Sequence, residues 1–134
     1  MKFKLLFAIV PLLILHSCSK KECDEALTKS EFKVGITYCL SDNQSITIDS
    51  ISDYRCPSNV ECIWAGETKL FMSMFDEDVT YDFEITVPND SNPFIVADKY
   101  GYKYTIEKIN PYPLSPVEVT QDDYRVKMSI EKVQ

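Results

Sequence analysis

The sequence predicts an all-β fold, a single small sandwich or barrel braced by disulfides. Three observations support that class. Apolar and polar residues alternate with period two through most of residues 31–134, the signature of half-buried strands. No stretch offers an apolar face sustained over three helical turns. Cysteines at 23, 39, 56 and 62 form an even set suited to two bridges.

The strands follow in chain order. Phe32, Val34, Ile36, Tyr38 and Leu40 share one face, opposite Lys33, Thr37 and Cys39. Ile46 and Ile48 continue the alternation, but Ile51 falls out of phase, which predicts a bend or bulge. Leu70 to Phe75 is apolar on both faces and reads as a central strand. After the acidic turn Asp76-Glu77-Asp78, Val79, Tyr81, Phe83, Ile85 and Val87 line the inner face of a long strand. Thr80, Asp82, Glu84 and Thr86 line its wet face. Pro88 to Pro93 is a turn, Phe94 to Ala97 a short strand, and Tyr100 to Ile109 another. A proline-rich connector, Asn110 to Pro116, leads to a last strand with Tyr124, Val126, Met128 and Ile130 on one side. About seven such strands suggest an immunoglobulin-like sandwich or a small closed barrel. Lys103, Lys127, Lys132 and the prolines are expected to guard its edges.

The N-terminus sets the compartment. Lys2 and Lys4 precede the apolar run Leu5 to Leu15, which is short for a membrane span and carries Pro11 inside it. It has the form of a signal-peptide core. The run ends in Leu15-His16-Ser17-Cys18, which resembles the lipobox of bacterial lipoproteins, with His16 where that family has a small residue. The resemblance implies removal of residues 1–17, lipidation of Cys18 with acyl chains such as palmitate, and a membrane partnership through that anchor. Ser19 stands where inner-membrane retention signals of the family carry Asp, which implies outer-membrane delivery. Residues 18–30 then read as a lipidated N-terminus and linker, and 31–134 as the β-domain.

Composition excludes several chemistries. Residues 1–17 hold two of the 14 basic side chains, none of the 21 acids and the only histidine, His16. The mature chain therefore carries 12 bases against 21 acids, a formal charge of −9. Such a domain is a poor nucleic-acid binder. Without histidine it has no Ser-His or Cys-His relay and lacks the commonest zinc ligand. Its three glycines, Gly35, Gly66 and Gly101, are too scattered for a phosphate loop. No cofactor or metal is expected. Asp76, Glu77, Asp78 and Asp82 lack the spacing of a calcium loop and read as a solvated turn. Tyr100, Tyr102, Tyr104 and Tyr112 suit either sugar stacking or strand packing. Asn43-Gln44-Ser45 matches a glycosylation sequon, which carries little meaning in a bacterial lipoprotein.

Four exported cysteines allow three pairings. The favoured one joins Cys56 to Cys62 around a short loop and Cys23 to Cys39 across the first strand, worth about 2 and 3 kcal/mol by loop entropy.

One segment departs from the alternating background, Asp53 to Glu67 (DYRCPSNVECIWAGE). It resembles a signature of small exported bacterial proteins: an acid, Arg-Cys-Pro, a short loop, then Cys-x-Trp-Ala-Gly. Tyr54 stands where that pattern has a serine, and Gly101-Tyr102 through Pro111-Tyr112-Pro113 resembles its C-terminal half. The resemblance spans about residues 31–133 and implies no activity.

Physically, the bridge pins the loop, Pro57 stiffens it, Gly66 permits a turn, and Asp53 or Glu67 holds Arg55 as a charge-assisted pair. Trp64 is expected to cover the disulfide in the core. The segment is then a structural staple, or a recognition surface with Tyr54, Arg55 and Trp64 as anchors. The functional expectation is a lipid-anchored envelope protein, not an enzyme, that binds an envelope or extracellular protein or glycan or serves structurally. Inhibition of an exported protease through residues 55–63 is the alternative, and a carboxylate-dependent hydrolase the second.

Overall fold

The computed structural model describes residues 25–89 and 95–134. Cys18, Cys23 and the signal segment lie outside the described residues. The order of elements is α1 (Glu25–Thr28), β1 (Glu31–Lys33), β2 (Thr37–Ser41), β3 (Gln44–Asp53), β4 (Glu67–Asp76), β5 (Val79–Pro88), β6 (Ile95–Lys99), β7 (Tyr102–Asn110), a 3-10 turn at Gln121–Asp123, and β8 (Arg125–Lys132). Two four-stranded antiparallel sheets form, ordered β1-β8-β7-β6 and β2-β3-β4-β5. The molecule is therefore an all-β sandwich and not a closed barrel.

The described residues form eight strands, where about seven were expected, because the first one divides. Gly35 takes φ 73°, and its N–H donates to the Ile48 carbonyl at 2.8 Å. The chain thus leaves one sheet after Lys33 and joins the other at Thr37, which leaves Ile36 half exposed. Connectivity also differs from the immunoglobulin type. Each hydrogen-bonded strand pair except β1–β8 joins neighbours in sequence, a meander where that fold uses Greek-key crossings. The edge strands are β1, β6, β2 and β5, so Lys103 and Lys127 sit on interior, doubly paired stretches and guard no edge, while Lys132 lies on the part of β8 that the short β1 leaves uncovered.

Elsewhere the alternation places most side chains as expected, but Val79, expected on the inner face of β5, is 48% exposed at the strand's first position. Thr68, Leu70, Met72 and Met74 of β4 point inward, as do Tyr102, Tyr104 and Ile106 of β7 and Tyr124, Val126, Met128 and Ile130 at β8. The bulge falls between Ile48 and Ser50 and returns Ile51 to the core at 3% exposure. Residues 25–30 are part of the domain and not linker, since Ala26 is fully buried and α1 packs on β2 and β8.

The seams between the sheets are closed by side chains. On one side β2 ends its pairing with β3 at Thr47, and the Gln121 amide substitutes for the missing rung. It accepts from Ile51 N–H at 2.8 Å and donates to Ile51 C=O at 2.9 Å. On the other, Tyr100 stacks on Tyr81 at 4.6 Å and Phe83 meets Tyr104 at 5.5 Å. Among the described residues, no helix is long and apolar enough to cross a membrane.

Candidate functional site

The segment 53–67 joins β3 to β4 at one end of the sandwich. Strand parity decides what its first residues do. Ile51, Asp53 and Arg55 share the inward face, while Tyr54 points out at 63% exposure. An acid and a base thus enter the end of an apolar core, where neither is tolerable alone.

They satisfy one another. Arg55 Nε donates to Asp53 Oδ1 at 2.8 Å and Nη2 donates to Oδ2, a two-pronged pair with side chains 8% and 5% exposed. The remaining donors cap carbonyls at the end of β7: Nη1 reaches Ile109 O at 2.9 Å and Nη2 reaches Pro111 O at 3.0 Å. The Tyr112 ring covers the guanidinium at 4.7 Å. Asp53 also accepts from Arg55 N–H, from Thr68 Oγ1 and from the Tyr124 hydroxyl at 3.2 Å. The partner of Arg55 is therefore Asp53, and Glu67 is left to Lys69 at 3.8 Å.

These contacts set the ionisation. Burial pushes the Asp53 carboxyl up, but the hydrogen bonds and charge of Arg55 outweigh it and hold the group below the ordinary carboxylate range. Burial, then the facing Asp53 charge, pushes the Tyr124 phenol up to about 12. Asp53 at pH 7 is a fully engaged carboxylate, not an idle base.

The loop above this plug is rigid. Cys56 and Cys62 form the expected disulfide, with Cα atoms 5.9 Å apart. Cys39 is also disulfide-bonded, and its expected partner Cys23 lies outside the described residues. Gly66 is indispensable: at φ 79° a Cβ there would lie 2.0 Å from the Tyr54 carbonyl oxygen. Tyr54 N–H donates to Glu67 O at 2.8 Å and Cys56 N–H to Ala65 O at 3.0 Å, so the segment returns on itself as an irregular hairpin.

A second loop, residues 111–118, is stitched to it. Asn59 donates to Ser115 O at 2.6 Å and accepts from Ser115 N–H at 2.9 Å, and Ser58 N–H donates to Pro113 O. Trp64 is not core. It is 79% exposed, because the bridge lies at the surface and leaves nothing to cover. With Tyr54, Val60, Ile63, Tyr112, Leu114 and Val117 it forms an apolar set exposed on the two joined loops. Leu114 and Val117 escaped the sequence reading, which took Asn110 to Pro116 as a plain connector and assigned Val117 no role. Their only signal was large aliphatic residues beside prolines. Of the four tyrosines held in doubt, Tyr102 and Tyr104 are core while Tyr100 and Tyr112 are exposed.

Among the described residues, no three His, Cys, Asp or Glu side chains converge as metal ligands would. No protein-family model, curated protein or solved structure matches the chain.

Proposed function

We propose that the chain is a lipoprotein of the bacterial cell envelope, anchored in the outer membrane by acylated Cys18, whose sandwich binds a partner without catalysis. The anchor reading rests on the charged, apolar and cysteine-terminated order of residues 2–18. One observation carries the binding reading: seven large apolar side chains stand exposed on two loops that are locked to each other and to a buried ion pair. Rigid, clustered apolar exposure of this kind marks interaction sites, since it lowers the ordering cost of association. The described N-terminal residues fit this arrangement. β1 runs towards the loop end, antiparallel to β8, so Ser30, bonded to Met128 N–H, lies farther from the two loops than Lys33 does.

Two experiments test the proposal. Metabolic labelling with an alkyne palmitate should tag the full-length chain and fail with Cys18→Ser; equal labelling of both removes the anchor reading. The acylated chain used as bait on envelope extract should retain a partner that the Ile63→Ser/Trp64→Ser chain loses. Identical retention by both would move the site elsewhere. A second reading, protease inhibition through residues 55–63, draws on Ile63, which is fully exposed just past the cystine. Stoichiometric loss of an exported protease's activity on adding the chain would select it.

A further inference from the structure

We infer that the notch between Tyr54 and Trp64 is an organic-cation site, which receives a lysine or arginine side chain of a protein partner. This rests on the binding role proposed for the two-loop end and names the chemistry that end selects.

The notch is lined by Tyr54, Trp64, Gly66 and Glu67, and its wall is mostly apolar. Its geometry is built in. Tyr54 and Glu67 are tied backbone to backbone at 2.8 Å, and the Gly66 floor touches the Tyr54 carbonyl too closely for any side chain. Asn89 fixes the adjacent backbone, donating from its side chain to Ala65 O and from its N–H to Gly66 O, both at 3.0 Å. Two aromatic side chains and a carboxylate line one small hollow, a composition that suits a cation, since aromatic faces attract positive charge and Glu67 adds a negative one. Lys69 bridges Glu67 at 3.8 Å and Glu84 at 3.2 Å, so two carboxylates share one ammonium and the group beside the notch keeps a net negative charge.

Charge complementarity extends beyond the notch and indicates the source of the cation. The solvent-accessible charges of residues 54–67 and 111–118 are Glu61, Glu67 and Glu118, all acidic. Their one base, Arg55, is buried and neutralised by Asp53. Ile63, Leu114 and Val117 offer apolar contact that a lone ammonium compound would leave empty. An apolar centre with an acidic surround fits a protein surface with aliphatic residues flanked by lysine or arginine. A choline head group shares the cationic chemistry, and the experiment separates the two sources.

Trp64 is the only tryptophan of the chain, so its emission reports the notch directly. The acylated chain in neutral detergent is titrated with a leucine-lysine hexapeptide, its leucine-arginine and leucine-glutamine counterparts, and choline. The two basic peptides should change Trp64 emission saturably and lose affinity as salt rises. Tyr54→Ala or Glu67→Gln should weaken them by about three- to thirtyfold, the span expected of one cation–aromatic contact. Both substitutions are at the surface, and an unchanged melting curve shows that the fold persists. Equal affinity for the glutamine peptide, or no emission change with either basic peptide, overturns the cation site, while retention of an envelope partner through Ile63 and Trp64 would still uphold the binding role. Choline binding as tight as the basic peptides, with the chain held by phosphatidylcholine vesicles through Trp64, overturns the protein source in favour of a lipid head group.

Discussion

Replacing Arg55 with alanine tests the account of the loop end most directly. The guanidinium makes two bonds to Asp53 and one each to Ile109 O and Pro111 O, in a side chain 8% exposed. Removing it leaves a carboxylate, itself 5% exposed, in an apolar end with only weaker donors. Breaking a buried pair from one side costs about 3–5 kcal/mol. That is a large part of the 5–15 kcal/mol that holds a domain folded. At roughly 4 °C per kcal/mol for a domain near this size, the melting temperature should fall by about 12–20 °C. Arg55→Lys should recover only part of the loss, since an ammonium cannot span the carboxylate and both carbonyls.

The pH dependence gives a second readout on the same variant. In the native protein the Asp53 pKa lies below its unfolded value, so its contribution is present above about pH 4 and lost as pH falls through the lower folded value. Without Arg55, burial dominates and raises the carboxyl. The variant's deficit should therefore be greatest near neutrality and shrink towards pH 3. Chemical denaturation at pH 7 and pH 3 measures both quantities. A loss under 1 kcal/mol at pH 7, or a deficit that does not change with pH, would refute the buried-pair account.

Three further outcomes are expected. Gly66→Ala should destabilise by about 1–3 kcal/mol or more, from positive φ and overlap with the Tyr54 carbonyl, read as a lower denaturant midpoint. Gln121→Ala leaves both backbone groups of Ile51 without their partner and should cost about 1–3 kcal/mol, with faster amide exchange at Ile51. Tyr104→Phe should be neutral or stabilising by about 1 kcal/mol, because its buried hydroxyl has no hydrogen-bond partner among the described residues; a loss above 1 kcal/mol would show that the hydroxyl is satisfied.

Much of the sandwich was legible because its strands are long and one face of each is dry. Met72 and Met74, Tyr102 and Tyr104, Val126 and Met128 sit where period two puts them. The bulge was legible from the phase slip at Ile51. The change of sheet at Gly35 was not, since Phe32, Val34, Tyr38 and Leu40 keep one phase across a break that alters only the backbone direction. Edge positions were illegible for a related reason: a lysine on a solvent face looks the same on an edge strand as on an interior one. At the loop end, Asp53 with Arg55 could be read as a pair, but Glu67 was an equal candidate until register placed Asp53 beside the inward Thr68. Trp64 misled because burial is the usual fate of a tryptophan near a cystine in a small domain. Nothing local in the sequence says that the bridge itself is at the surface.

The two readings of the signature, staple and recognition surface, are complementary because strand parity divides it. Asp53 and Arg55 point inward and satisfy each other, and Tyr54 between them must then point out. The same guanidinium that neutralises Asp53 holds the carbonyls of Ile109 and Pro111, and so fixes where the second loop begins. Asn59 and Ser115 then set the distance between the two loops. Side chains as apolar as Ile63, Trp64 and Leu114 would gain from collapsing onto one another or onto the sheets if the loops were free to move. The bridge, the plug and the Asn59 contacts prevent that collapse and keep the anchors displayed. Exposed apolar groups of this kind also promote self-association, which the surrounding Glu61, Glu67 and Glu118 oppose by like-charge repulsion. On the proposed binding role, the staple is the condition for recognition: the buried ion pair orders the surface, and the acidic surround would select which partners approach it.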